Sequence, residues 1–423
     1  RTMRSRVAGV LLIIVMGPFP CLAAEEIVVR DLPKFHQDRF AIGAFWLTFQ
    51  DDKLLDQRFR EIAEANFTLV FGPVGASSLE SAEKHVELCQ KHQLKAIVYC
   101  RGVPSESLPV GDACWGYRLW DEPNAKMFAG LGKQVAELRQ LRPGRLGYIN
   151  LYPNYANATQ LGADSYDAYV RRFLETVDVD VLCMDHYPIF KPSGDSRERY
   201  CKNLATMRKY ALEKRIPFWN YFNVMPFGPH TDPTESQIRW QIFTSLAYGA
   251  KGVIYFNYGT PKTFEFPKGG GIVRRDGTRT RHWYQAKRIN AVIKNLGPTL
   301  MQLENIGVYR VKPDGDPGVV LKGTPIVTMT RAEVDPPHDY LVGVFRLVDG
   351  RRAVLVTNYR FAYTAWPTVE FDVPIDQVHE ISQQTGETVP VYDDSPDMDG
   401  LQISLDAGGG RLFVLPALSK NGD

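Results

Sequence analysis

Cysteine is scarce in this chain: six in 423 residues, with no CxxC pair among them. That argues against a zinc ribbon and against thioredoxin-like redox chemistry. The five that follow Cys21 (Cys89, Cys100, Cys114, Cys183 and Cys201) are an odd number, which indicates no disulfide scaffold, although Cys100 and Cys114 flank one loop and could pair. Histidine is thin as well, eight in all, without HExxH or HxH, so no metal and no other cofactor is expected. No GxGxxG or GxxxxGK[ST] follows a strand-like run, and no G-x-S-x-G marks a serine nucleophile. An excess of one charge is also missing. The net charge is +2, so electrostatics give no reason to expect nucleic acid or an anionic membrane as a partner. Beyond the first 24 residues no apolar run is long enough to cross a bilayer.

Residues 1–24 read as a secretory signal. Arg4 and Arg6 form a basic start, Val7–Met16 an apolar stretch, and Cys21-Leu22-Ala23-Ala24 a small-residue cleavage region. Cys21 follows Gly17-Pro18-Phe19-Pro20, a poor lipid-attachment context, so cleavage after Ala24 is expected and the product is secreted or periplasmic. Removal takes away Arg1, Arg4 and Arg6, leaving 47 basic residues against 48 acidic ones.

From about residue 41 to 300, short apolar runs alternate with amphipathic segments. Strands are predicted at 41–46, 68–73, 95–100, 116–121, 146–152, 179–187, 216–222 and 252–258. Helices are predicted near 53–66, 78–92, 124–142, 164–176, 196–214, 234–248 and 282–296. Leu54, Leu55, Phe59, Ile62 and Ala63 recur at helical spacing, with Lys53, Asp56, Arg60 and Glu64 on the other face. The connection 101–115 is rich in Pro, Gly and Ser and reads as a loop. Eight strands with mostly helical crossovers predict an α/β fold, a closed (β/α)8 barrel over residues 25–300. After residue 300 the helices stop. Strand-like runs at 305–312, 318–322, 326–330, 340–348, 352–358, 366–373, 400–405 and 411–416 follow one another, with Asp349-Gly350 as a hairpin signal. Residues 301–423 are therefore expected to form an antiparallel β-sandwich.

A barrel keeps its chemistry at the C-terminal ends of its strands. Strand four ends in Trp120-Asp121-Glu122-Pro123. The two acids either cap the helix that follows or serve a site. Strand six contains Asp185 as the one acid in an apolar run (VDVLCMD), which is costly unless it is used or paired. By alternation Asp185 shares a face with Cys183 and opposes His186, so Asp185 and His186 do not readily ligate one metal. Trp46, Trp120, Tyr187 and Tyr221 gather at strand ends, with Asn150, Asn220 and Asn257. Flat aromatic faces and amide groups suit a sugar ring and its hydroxyls.

The stretches GYRLWDEPN, VDVLCMDHYPIF, SLAYGAKGVIYFNYG and IVRRDGTRTRHWYQAKRIN resemble secreted bacterial glycoside hydrolases of clan A, the β-galactosidase- and cellulase-like barrels, over about residues 35–300. The resemblance implies an acid/base glutamate closing strand four, usually after Asn. Glu122 matches it, with Asp121 in place of the Asn. It also implies a nucleophilic glutamate at the end of strand seven, where IPFWNYFNVMPFG offers Asn220 and Asn223 and no acid. The expectation is an exported glycoside hydrolase cleaving O-glycosidic bonds of a plant, algal or microbial oligosaccharide or polysaccharide. Glu122 is its acid/base and Asp185, or less favourably Glu265, its second carboxylate. Trp46, Trp120, Tyr187 and Tyr221 form the sugar platform, and Asp121, Asn150, Asn220 and Asn257 complete the substrate contacts. Two carboxyls flanking a scissile bond are separated by about 5–5.5 Å for retention or about 6.5–9.5 Å for inversion. The alternative is a carbohydrate-binding barrel without catalysis. The missing strand-seven acid favours it, and the retained acids on strands four and six oppose it.

Overall fold

The structure is a computed structural model that describes residues 32–48, 51–72, 78–99, 102–191, 194–393 and 399–418. The signal expected at 1–24 and Cys100 lie outside the described residues. Cys114 is a buried free thiol.

Eight parallel strands close into a barrel in sequence order: β1 (Ala41–Ala44), β2 (Leu69–Gly72), β3 (Lys95–Val98), β4 (Cys114–Asp121), β5 (Leu146–Leu151), β6 (Leu182–Asp185), β7 (Phe218–Asn223) and β8 (Gly252–Phe256). The helices between them are α1 (Leu55–Glu64), α2 (Leu79–Lys91), α3 (Phe128–Leu141), the single turn α4 (Ala158–Leu161), α5 (Tyr166–Thr176), α6 (Arg197–Lys214) and α7 (Glu235–Ala247). A long α8 (Arg281–Gln302) follows β8. The apolar periodicity explains their placement. In α1, Phe59 and Ile62 are buried against the barrel while Asp56, Arg60 and Glu64 stay in water. Among its described residues, the connection before β4 holds a 3-10 turn at Ser105–Ser107 and no longer helix, as its Pro and Gly content predicts.

Strand alternation fills the barrel interior. Phe71, Ile97, Tyr148, Cys183, Trp219, Tyr221 and Ile254 point inward and pack on one another. Their neighbours Leu182, Met184, Phe218 and Phe222 point outward to the helices. At Gly116 a side chain has no room: a Cβ there would fall on the Leu146 carbonyl of β5. Gly116→Ala is therefore expected to destabilise the chain by about 1–3 kcal/mol or more through overpacking, read as a lower urea midpoint at an unchanged slope. An unchanged midpoint would show that β4 and β5 are free to separate.

Past α8 the chain forms two antiparallel sheets. One has six strands in the order β15 (Thr388–Pro390), β14 (His379–Ile381), β17 (Gly410–Leu415), β12 (Arg352–Asn358), β11 (Tyr340–Leu347) and β9 (Leu303–Val311). The other has three: β10 (Ile326–Thr330), β13 (Thr368–Phe371) and β16 (Leu401–Gln402). Val342, Val344, Val354, Val356 and Phe413 meet Ile326, Met329, Val369 and Phe371 between them, which makes the expected sandwich. The opposite face of the larger sheet is apolar too. Leu341, Phe345, Leu355 and Leu412 join the core formed by Phe243 and Leu246 of α7. The β11–β12 hairpin turns at Asp349-Gly350, with Gly350 at φ +88°. One expected strand, 318–322, is instead the single helical turn α9 (Pro317–Val320). Asp316 accepts a hydrogen bond from Gly318 N–H, and Pro317 occupies the first turn, where a missing N–H costs nothing. The β14–β15 hairpin was not expected from the sequence.

Candidate active site

The site is built from the end of β4. Between Arg118 and Trp120 the β4–β5 register slips: Arg118 lies opposite Tyr148, Trp120 opposite Ile149 and Asp121 opposite Asn150. This bulge places an extra residue on β4. Strict alternation from Arg118 would aim Asp121 away from the barrel interior. The bulge returns it to the face of Arg118, Tyr148 and Asn150. Glu122 then takes φ +48°, an uncommon left-handed conformation for a residue with a side chain, and its N–H donates to Asn150 O at 2.8 Å. The helix-capping role falls to Asn124, whose Oδ1 accepts from Lys126 N–H. Neither Asp121 nor Glu122 caps the segment that follows.

Three carboxyls converge here. Asp185 is buried on β6, on the inward face that Cys183 also occupies, as alternation predicts. The Asp185 and Glu122 side chains are hydrogen-bond partners. Asn150 joins the group from β5. Its Nδ2 donates to Asp121 Oδ1 and to Asp185 Oδ1, both at 3.1 Å, while its buried Oδ1 has no partner among the described residues. Tyr187 also hydrogen-bonds Asp185. Burial, then the charge of Asp121, pushes the Glu122 carboxyl up to about 7, against the lowering effect of its Asp185 hydrogen bond. Burial, then the charges of Glu122 and Asp121, holds Asp185 well above the usual carboxylate range. The two titrate as one unit that retains a proton near neutral pH.

Beside the trio opens a cavity of about 390 Å³, walled by Phe45, Trp46, Phe71, Tyr99 and Phe256, with Arg118 and Asp121 supplying its charges. Arg118 Nη2 donates to Asp121 Oδ2 at 2.8 Å, and the guanidinium sits over the rings of Phe45 and Tyr99 at 5.3 and 5.6 Å. Trp46 is 39% exposed and packs edge-on against Phe266, which leaves part of its ring open to a ligand. Trp120, 42% exposed, stands at the rim. Among the described residues no group of three or more His, Cys, Asp or Glu side chains could hold a metal ion.

Of the residues predicted for the site, Glu122, Asp185, Asp121, Asn150 and Trp46 are at the mouth and Trp120 at its edge. Four of the predicted residues need correction. Asn220 is buried and faces outward, donating from Nδ2 to Tyr200 of α6 at 2.8 Å, because its neighbours Trp219 and Tyr221 take the inward positions. Asn257 is fully buried, with Nδ2 3.8 Å from Met225 Sδ, and its main-chain carbonyl accepts from Ile272 N–H. Tyr221 and Tyr187 offer no open ring face. Tyr221 is packed in the barrel interior with its hydroxyl accepting from Tyr148 at 3.0 Å, and Tyr187 is enclosed by Phe227, His230 and Phe256. Glu122 and Asp185 interact directly, and Asp121 is the acid that lines the cavity. Glu265 is exposed in the loop after β8, and Glu235, the first residue of α7, is paired with Arg288 at 2.7 Å. His186 faces away from the mouth and meets Asn203.

Sequence reasoning missed Arg118, Tyr99 and Tyr155. Arg118 is the lone charge inside GYRLW, a signal of the same kind that drew attention to Asp185. The hydroxyls of Tyr152 and Tyr155 are pushed up by burial and then by the charges of Glu122 and Asp185.

No protein-family model matches the chain, and no curated protein sequence matches it. Solved structures do. A β-galactosidase from Bacillus circulans sp. alkalophilus superimposes with a TM-score of 0.56 at 10% identity, covering 89% of this chain and 99% of that one. A catalytic mutant of a family 42 β-galactosidase from G. stearothermophilus gives 0.56 at 9%, covering 89% and 98%. A family 39 glycoside hydrolase from Bacteroides cellulosilyticus gives 0.51 at 14%, covering 88% and 80%. The chain thus shares the barrel fold of these glycoside hydrolases.

Proposed function

We propose that the protein is an exported glycoside hydrolase acting on a plant, algal or microbial saccharide, with its chemistry at the mouth of the barrel. The observation that carries this reading is half-buried Glu122 paired with buried Asp185, which Asn150 ties to Asp121 at the wall of an aromatic cavity. Breaking a glycosidic bond requires a proton for the leaving oxygen. Glu122, at about 7, is a carboxyl that still holds a proton in mildly acidic and near-neutral water and can give it up. Asp185 is its hydrogen-bonded partner, which keeps a proton on the pair and orients Glu122. Asp121 is the carboxylate that lines the cavity, fixed by Arg118 and Asn150. In this reading Asp121 takes the second role, activating water or stabilising the positive charge that develops on the sugar ring.

The pH dependence follows from the sign of the shifts. The proton-donating form of Glu122 is present below about 7, so kcat/KM on a substrate with a poor leaving group is expected to fall as pH rises through that value. The raised Glu122 carboxyl contributes stability that is fully present below its usual value of 4.5 and is lost as pH rises through about 7. In Asp185→Asn the two coupled ionisations should collapse to one, with kcat reduced by about 10–10²-fold. A profile identical to wild type in that variant would remove Asp185 from the proton-holding unit.

A second reading, a barrel that binds carbohydrate without cleaving it, is favoured by one observation. Strand β7 (Phe218–Asn223) carries no acid, and its inward residues are Trp219 and Tyr221. The strained backbone at Glu122 and the two desolvated acids argue against it, since binding alone has no use for a proton held near neutral pH.

A further inference from the structure

The connection from β8 to α8, residues 257–280, carries five basic residues, Lys262, Lys268, Arg274, Arg275 and Arg279, against two acidic ones, Glu265 and Asp276. Arg279 is paired with Glu64 of α1 at 2.7 Å, and the other four still outnumber Glu265 and Asp276, a local excess of positive charge. The connection is part of the barrel mouth. Gly259 N–H donates to Trp46 O, and Phe266 packs against both Trp46 and Phe256 at 6.0 Å. Phe264, 92% exposed on the same loop, presents a free aromatic face.

An open cavity of about 660 Å³ is lined by this loop, the start of α8 and Asp232 from the β7–α7 connection. Its charges are unevenly matched. Asp232 is taken by Arg281 and His282, each at 2.7 Å. Asp276 turns onto the N–H and hydroxyl of Thr278. Arg274 donates to Thr278 Oγ1 and Arg279 O, and Arg275 to the carbonyls of Pro261 and Phe266, all neutral acceptors. Lys268 is exposed on the same wall. Among the described residues, no carboxylate pairs with Lys268, Arg274 or Arg275. Asp276 faces Arg274 through its charge without pairing with it, and Lys268 and Arg275 have no carboxylate partner, so the cavity wall fits a ligand that brings its own negative charge. Guanidinium groups pair with the two oxygens of a carboxylate or a sulfate in the same way.

We propose that this basic cavity receives an anionic substituent of the substrate, so that the saccharide cleaved at the mouth is an acidic one bearing carboxylate or sulfate groups. The inference rests on the glycosidase reading and specifies its substrate class. Phe264 would stack on a ring of the same chain outside the cleaved unit.

The test is calorimetric titration of the full chain carrying Glu122→Gln, which slows cleavage of the ligand. Three oligosaccharides of equal length are compared: one of uronic acids, one sulfated and one neutral. One charged ligand is expected to bind about tenfold tighter than the neutral one at roughly 20 mM salt, with the advantage shrinking toward 0.5 M. Which charged ligand wins identifies the substituent. Adding Lys268→Ala and Arg274→Gln, both at exposed positions, should bring the charged-to-neutral affinity ratio close to one. Equal affinities for charged and neutral ligands, or a charge preference that survives the two substitutions, would overturn this inference and leave the glycosidase reading standing. Absence of binding to all three would overturn both.

Discussion

Glu122→Gln is expected to lower turnover of saccharides with poor leaving groups by about 10²–10⁴-fold. The amide preserves the shape of the side chain and can still hydrogen-bond Asp185, but it has no proton to transfer. The loss should be much smaller on an activated aryl glycoside, whose leaving group departs without protonation. That contrast separates proton donation from a structural role. Glu122 sits at φ +48° beside buried Asp185, so a substitution that merely disturbed the local structure would depress both substrates alike. Equal losses would therefore remove Glu122 as the acid.

Asp121→Asn should fail in the opposite pattern, losing about 10²–10³-fold on activated and natural substrates together. Asp121 is the carboxylate at the cavity wall, and positive charge develops on the sugar ring whichever leaving group departs. The substitution also leaves Arg118 without its ion-pair partner, and a positive charge beside the reacting carbon opposes the transition state. Because burial and the charge of Asp121 both raise Glu122, the variant should shift the fall of kcat/KM toward lower pH. Wild-type turnover of the aryl glycoside by Asp121→Asn would reduce Asp121 to a clamp for Arg118.

The barrel was readable from the chain because its helices and strands differ in period. The α1 segment repeats its apolar residues at helical spacing, and VDVLCMD alternates cleanly enough to put Cys183 and Asp185 on one face. Alternation also contained the correction at strand seven. Asn220 and Tyr221 are neighbours on a strand, so both could not face the interior, and the large Trp219 shares the face of Tyr221. The strand predicted at 318–322 failed for a local reason: Asp316-Pro317 is a helix-start signal that outweighs two valines. The contact between Glu122 and Asp185 was not legible. It depends on the bulge in β4 and on a left-handed Glu122, and neither leaves a pattern in GYRLWDEPN. Arg118 was legible as a lone charge in an apolar strand, yet its role emerges only with the ion pair to Asp121 and the rings of Phe45 and Tyr99 around it.

The most direct measurement is the release of new reducing ends from a panel of neutral, uronic-acid-containing and sulfated polysaccharides, comparing wild type with Glu122→Gln. Wild type is expected to release reducing ends from at least one of them, with the rate falling above about pH 7, and the variant to release at least about 10²-fold fewer. Binding of a polysaccharide by wild type with no release from any member of the panel would contradict hydrolysis at this site and make the protein a carbohydrate-binding barrel.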